Sequence, residues 1–196
     1  MKNSLIVILL IFKICNLYPQ SSISKYKFWE DLTIQEKKTI LSNQNLFKEA
    51  KNYYESHAKP YDSMDLTFNL LEKISNAPIK EKNDIFYIHL LDTITSSVEG
   101  IIAEFIGINW INFIDKNPSL VVNYLHKRKL DDNYLNFLAT YFFEGLICIN
   151  YKKNKYPFIT FKNKLNRAII NESTEVKKTA NFFLNLVKQK FDECEE

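Results

Sequence analysis

The sequence predicts an all-α fold of eight to nine helices. Only three of the 196 residues are glycine and five are proline, and the Asn-Gly and Asp-Gly pairs that close tight β-hairpins are absent. Apolar residues instead recur at intervals of three and four positions, which places them on one face of a helix. We therefore expect helices packed side by side, either as an irregular array of stacked helix pairs or as a closed bundle.

The first 24 residues have the layout of a secretory signal peptide. Lys2 precedes the apolar run Leu5–Phe12, and a polar, turn-prone segment follows. As a helix this run would span about 12 Å, whereas the hydrocarbon core of a bilayer is ~30 Å thick. An uncleaved anchor or a buried first helix is the alternative. We expect residues 1–24 to be a signal peptide, residues 25–196 to form a single helical domain without a transmembrane span, and the protein to be secreted or periplasmic.

Three helices are predicted in the first part of this domain. Thr33 and Glu36 have the spacing of a capping box, in which each side chain accepts a backbone hydrogen bond from the other residue. Asn45 is expected to cap the second helix. A third helix is predicted from about residue 62 to 75, since its apolar residues fall on one face.

Two further helices are predicted for residues 80–97 and 98–115. The second of these is apolar almost all round, so we expect it to be central and buried. Gly100, Ala103 and Gly107 form a strip of small residues along it. Small side chains allow a neighbouring helix to approach closely, so this strip predicts a close helix crossing.

Four helices are predicted in the last part of the chain. Asn117-Pro118 marks a helix start, because proline is favoured at the first helical position. Further helices are predicted for about 132–150 and 157–170. Residues 171–173 are expected to cap the last helix, which carries the most regular apolar stripe of the chain: Val176, Ala180, Phe183, Leu184, Val187 and Phe191.

A weak internal periodicity leaves the architecture open. Pro78, Pro118 and Pro157 are spaced 40 and 39 residues apart, and each lies at or just before a predicted helix start. Repeats of about 40–47 residues are typical of HEAT and armadillo arrays. A second similarity, between residues 95–103 and 140–148, has an offset of 45, which disagrees with the first. HEAT- or armadillo-like helix pairs and a closed bundle therefore both remain predictions.

Two cysteines follow the predicted signal peptide, Cys148 and Cys194. Cys148 lies in an apolar run and is expected to be a small buried side chain. Cys194 lies in an acidic segment and is expected to be an exposed thiol. We expect no disulfide between them.

Local catalytic and cofactor motifs are absent from the sequence. None of the three histidines has the spacing of a metal-binding helix motif, and no phosphate-binding glycine loop or nucleophile elbow occurs. The sequence thus predicts no catalytic residue, no metal and no cofactor. His89, Asp92 and Ser96 share one predicted helix face, but side chains stacked along one helix point outward in parallel, so a polar stripe is expected.

Carboxylates in apolar surroundings provide the enzymatic alternative. Glu99, Glu104 and Glu144 are surrounded by apolar residues, and burial raises the pKa of a carboxyl group. Two such groups close together, with a histidine, could perform general acid–base chemistry in a hydrolase or lyase. We expect instead that each lies on a helix face beside a lysine or solvent.

One segment carries a strong charge asymmetry. The whole chain has a net charge of +3, and removal of Lys2 and Lys13 with the signal peptide leaves it near +1. No acidic residue occurs between positions 151 and 167, where six cations form the predicted basic surface: Lys152, Lys153, Lys155, Lys162, Lys164 and Arg167. At the end of the sixth predicted helix, three more cations add to it: Lys127, Arg128 and Lys129.

This basic surface leads to the functional prediction. Outside the cytosol, a local positive surface favours an acidic protein or an anionic polymer of the cell envelope, and no nucleic-acid partner is expected. The leading hypothesis is non-enzymatic macromolecular binding. A hydrolase or lyase and a structural envelope-associated protein are the alternatives, and the oligomeric state is left open.

Overall fold

A computed structural model describes residues 26–57, 59, 64–77, 81–97, 101–128, 132–150 and 157–194. Within these residues it contains a short 3-10 helix at Trp29–Asp31, nine α-helices and no β-strand, which confirms the all-α class. The helices are α1 (Ile34–Leu41), α2 (Lys48–Glu55), α3 (Met64–Asn76), α4 (Glu81–Thr95), α5 (Ile101–Lys116), α6 (Pro118–Arg128), α7 (Asp132–Asn150), α8 (Pro157–Ala168) and α9 (Thr174–Cys194). The predicted signal peptide and Pro78 lie outside the described residues.

Several helix starts follow directly from local chemistry. The capping box at α1 is confirmed: the Glu36 amide donates to Thr33 Oγ1 at 3.2 Å, and the Thr33 amide donates to Glu36 Oε2 at 2.7 Å. Pro118 is the first residue of α6. Ser173 Oγ accepts a 3.3 Å hydrogen bond from the Val176 amide at the start of α9. These starts were predictable because they depend on neighbours in sequence.

The predicted start of α2 was wrong. The helix begins at Lys48, and its N-cap residue Phe47 provides no side-chain hydrogen bond. Asn45 does not cap it, because the Asn45 amide donates to the side chain of Asn43 at 2.9 Å and the chain turns there. The Phe47 amide donates to the Tyr87 hydroxyl at 3.2 Å, so a residue 40 positions away fixes this turn.

Helices α5 and α7 cross at two glycines. A Cβ atom placed on Gly107 would lie 2.9 Å from the backbone nitrogen of Gly145, and one placed on Gly145 would lie 2.6 Å from the carbonyl oxygen of Gly107. Such distances are shorter than van der Waals contact, so only glycine fits on both sides of the crossing. The predicted close crossing is thus confirmed at Gly107, whereas Gly100 and the side chain of Ala103 lie outside the described residues.

The core lies along a row of helices. Helices α3, α5, α7 and α9 contact one another in this order, and α6 packs across α5 and α9. Helix α5 is central, as expected, and its Trp110 side chain is fully buried. Phe142 on α7 packs edge-on against Phe183 on α9, with 5.0 Å between the ring centres. The apolar stripe of α9 is buried over its length from Val176 to Val187.

One prediction about the cysteines was wrong. Cys148 is exposed, not buried, because it lies on the outward side of α7 near its C-terminal end. Cys194 is exposed as expected, and both thiols are free. In the described part of the chain, no helix is both long enough and apolar enough to cross a bilayer.

Candidate functional site

A polar network connects the 3-10 helix with α4, α6 and α7. We use the name polar network for six residues: Glu30, His89, Asp92, Tyr124, Lys127 and Tyr134. At its buried end Asp92 is only 8% exposed, and its carboxylate accepts a hydrogen bond from the Tyr134 hydroxyl and lies beside the Tyr124 side chain. A buried carboxylate is costly unless it is hydrogen-bonded, and Tyr134 supplies a donor.

The two tyrosines act as permanent donors. Burial, followed by the nearby charge of Asp92, raises the pKa of Tyr124 and of Tyr134 far above the ordinary value for a phenol. Both hydroxyls therefore keep their protons at neutral pH. They hold the Asp92 carboxylate in place and cannot serve as bases, so this end of the network is suited to a structural role.

At its outer end the polar network attaches the 3-10 helix to α4 and α6. His89 Nδ1 lies 2.9 Å from Glu30 Oε1, and the His89 ring stacks on Trp29 with 5.6 Å between the ring centres. Lys127 Nζ lies 3.3 Å from Glu30 Oε2 and 2.7 Å from Asp31 Oδ2. Partial burial raises the pKa of Glu30, but the His89 hydrogen bond and the charges of His89 and Lys127 outweigh it and lower the pKa to about 2.

The triad-like set on α4 does not converge. His89 contacts Glu30, Asp92 contacts the two tyrosines, and Ser96 Oγ donates to the backbone oxygen of Asp92 at 2.9 Å. Each side chain thus has its own partner. The expected polar stripe facing water was wrong for Asp92, which α6 and α7 cover.

The enzymatic alternative is not tested by the described residues. Glu99 and the side chain of Glu104 lie outside them, and Glu144 is half-buried on α7. Within the described part of the chain, no three His, Cys, Asp or Glu side chains converge on a position that could hold a metal ion. A hydrolase or lyase using these carboxylates stays a prediction.

Part of the predicted basic surface lies on α8. Lys162, Lys164 and Arg167 are all exposed there, while Lys152, Lys153 and Lys155 lie outside the described residues. Lys164 Nζ is 2.7 Å from Asp115 Oδ2 on α5. Lys162 and Arg167 form no ion pair with any residue that the structure describes.

The cations at the end of α6 do not join this surface. Lys127 is paired with Glu30 and Asp31, and the Arg128 guanidinium lies 4.2 Å from the centre of the Tyr134 ring. Lys129 lies outside the described residues. Lys127 therefore stabilises the fold within the polar network, and Arg128 does so beside it.

A shallow groove lies where α8 ends and α9 begins. This α8–α9 groove has a volume of about 290 Å³ and is lined by Asn166, Ile169, Ile170, Lys177 and Asn181. None of these residues is acidic. Ile170 is 66% exposed, and Lys177 forms no ion pair with the described residues.

Sequence reasoning found α8 but missed the α9 side of the groove. Lys177 and Asn181 are four residues apart, so they share a face of α9 that lies beside its apolar stripe. This spacing was visible in the sequence. Only the fold shows that the end of α8 brings Asn166 and Ile170 next to them.

Comparison of the chain with protein families, with curated proteins and with solved structures found no match. The chemistry of the groove follows from its own residues. It offers a cation, two amide side chains and exposed apolar surface, a combination that can hold a chain bearing negative charge.

Proposed function

We propose that this protein is a secreted or periplasmic, non-enzymatic binding protein whose α8–α9 groove takes an acidic segment of a partner protein. The composition of the groove carries the proposal. Its lining contains Lys177 and two amide side chains and has no carboxylate. Arg167 lies on α8, next in sequence to the lining residue Asn166. Export from the cytosol is supported by the signal-like layout of residues 1–24.

The groove chemistry favours a peptide over other anions. Asn166 and Asn181 carry amides that both donate and accept hydrogen bonds, which matches the alternating groups of a peptide backbone. Ile170, which is exposed, adds apolar surface that a lipid headgroup or a simple polyanion would not use. Lys177 is a point charge that attracts a carboxylate without fixing its orientation, so the amides and Ile170 carry the preference for a peptide.

The contrast with the polar network supports binding over catalysis. At the buried end of that network the strongly perturbed groups are tyrosines held protonated by burial, and the Asp92 carboxylate lies beside them. A catalytic group must reach its substrate and exchange protons with it. The groove, by contrast, is open to solvent and offers charge and hydrogen bonds at its surface.

The experiment is a binding titration with a fluorescent deca-glutamate peptide, followed by anisotropy at low and at physiological salt. We expect saturable binding that weakens as salt is raised, since surface charges are screened. Replacing Arg167→Glu and Lys177→Glu together should weaken binding by about tenfold or more, because two attractions become repulsions.

A matched control separates the groove from overall charge. Lys38→Glu and Lys48→Glu change the net charge equally at exposed positions on α1 and α2. The control variant should bind as the wild type does. Equal losses in both variants, no binding by the wild type, or binding only to vesicles of anionic phospholipid would overturn the proposal.

A further inference from the structure

We infer that the segment bound in the α8–α9 groove is the acidic C-terminal tail of a second copy of this chain. This inference rests on the proposed function, because it names the partner of the same groove. Four of the last five residues are acidic, and we use the name acidic tail for them: Asp192, Glu193, Glu195 and Glu196. The chain thus carries both a basic groove and a segment of complementary charge.

The tail is kept away from the groove of its own chain. Helix α9 is continuous from Thr174 to Cys194, with the groove residues Lys177 and Asn181 in its first turns. Lys177 and Asp192 are 15 residues apart, which is about 22 Å along a helix axis. Because the helix between them is rigid, only the tail of another copy can reach the groove.

The charges at the two ends of α9 favour this pairing. The groove lies at the positive end of the helix dipole, whereas the acidic tail lies at the negative end, where carboxylates are unfavourable. Lys188 pairs with Asp192, and Lys190 Nζ lies 3.5 Å from Glu193 Oε2. Between residues 188 and 196, two lysines face four acidic residues.

Releasing the tail costs little. Both ion pairs are on the surface, with the Asp192 and Glu193 side chains more than half exposed. Exposed pairs three or four positions apart on a helix contribute little to stability, because water screens them. A groove that supplies Lys177 and the positive end of the helix dipole, with Arg167 next to its lining residue Asn166 in sequence, can compete with them.

Tail-to-groove contact joins different surfaces of the two copies. Such a heterologous contact extends to rings or open chains of subunits rather than stopping at a symmetric dimer. The inference therefore predicts self-association that grows with protein concentration and decreases with salt.

The test is a charge-swap complementation followed by sedimentation velocity in reducing buffer, which excludes disulfides through Cys148 or Cys194. The groove variant carries Arg167→Glu and Lys177→Glu, and the tail variant carries Glu195→Lys and Glu196→Lys. We expect the wild type to associate with rising concentration and each variant alone to stay monomeric. Mixing the two variants should restore association, because the intact acidic tail of the groove variant meets the intact groove of the tail variant.

Control measurements make each outcome decisive. The Lys38→Glu and Lys48→Glu variant should associate as the wild type does, and circular dichroism should show equal helicity in all variants. A wild type that stays monomeric, or a mixture that stays monomeric, would overturn the inference. If the wild type is monomeric but its groove binds deca-glutamate, the proposed function stands and only the second copy is wrong; if it does neither, both are wrong.

Discussion

The polar network and the α8–α9 groove use charged and amide side chains in opposite ways. In the network Asp92 is held by two tyrosines, and Glu30 is held by His89 and Lys127, so the carboxylates connect helices that are distant in sequence. At the groove, Lys177 has no ion-pair partner among the described residues. The first region uses its charges to hold the fold together, whereas the second leaves its cation available.

Burial explains this difference. Asp92 is 8% exposed, so an unpaired carboxylate there would carry a large desolvation cost, and the fold supplies donors for it. Lys177 and Arg167 stay in contact with water, which solvates them at no cost to stability. Substitutions should consequently affect stability in the network and binding at the groove.

The largest effect on stability is expected from Asp92→Ala. This change removes the carboxylate to which the buried Tyr134 phenol donates and beside which Tyr124 lies, and we expect a loss of about 3 kcal/mol, or a melting temperature lower by roughly 6–12 °C. Thermal unfolding followed by circular dichroism measures it. Ser96→Ala removes an exposed hydroxyl just after α4 that bonds only to the Asp92 backbone, so it should change stability little. If Asp92→Ala costs no more than Ser96→Ala, the polar network does not stabilise the fold.

A smaller, pH-dependent effect is expected from Glu30→Gln. The pKa of Glu30 is lowered to about 2 in the folded protein, so its ionised form stabilises the fold above the ordinary glutamate pKa, and this contribution is lost as pH falls toward 2. The side chain is 45% exposed, so we expect less than about 1 kcal/mol at pH 6.

Urea unfolding at pH 6, 4 and 2.5 tests this expectation. The difference between the wild type and Glu30→Gln should shrink toward acid pH. Glu72→Gln, which removes an exposed carboxylate from α3, is the control for lost charge. A difference that increases toward acid pH would show that the Glu30 contacts do not stabilise the fold as its lowered pKa implies.

A weak effect is expected from Lys164→Met. The ion pair with Asp115 joins α8 to α5, but the Lys164 side chain is 56% exposed. Surface pairs of this kind contribute about 0.2–1 kcal/mol, so the loss should stay below 1 kcal/mol in urea unfolding and decrease at high salt. A loss of stability comparable to that of Asp92→Ala would show that the contact of α8 with α5 is as important for the fold as the polar network.

The smallest effect on stability is expected from the groove variant. Arg167→Glu with Lys177→Glu should leave the free energy of unfolding within about 0.5 kcal/mol of the wild type, since both side chains are surface cations without ion pairs among the described residues. The same urea experiment measures it. A marked destabilisation would mean that these cations hold α8 and α9 together.

Features that depend on neighbouring residues could be predicted from the sequence. The capping box of Thr33 and Glu36, the start of α6 at Pro118 and the stripe of α9 all follow from spacing within one helix. Gly107 was predicted as a crossing point, but its partner Gly145 was not, because pairing across 38 residues leaves no local pattern.

The polar network could not be predicted for the same reason. Tyr134 and Asp92 are 42 residues apart, and Lys127 and Glu30 are 97 apart. Asn45 looked like a helix cap, but Asn43 and Tyr87 determine that turn. Cys148 looked buried because its neighbours are apolar, although it lies on the outward side of α7. Each error comes from a tertiary contact that overrides a local preference.

The division between a structural network and a binding groove is tested most directly by hydrogen–deuterium exchange, measured with and without deca-glutamate peptide. Slower exchange in the presence of peptide is expected in the backbone of residues 166–181, with no change at residues 26–31 or 89–95. Protection that appears at the 3-10 helix and α4 while α8 and α9 are unchanged would contradict the account, because it would place ligand binding at the polar network.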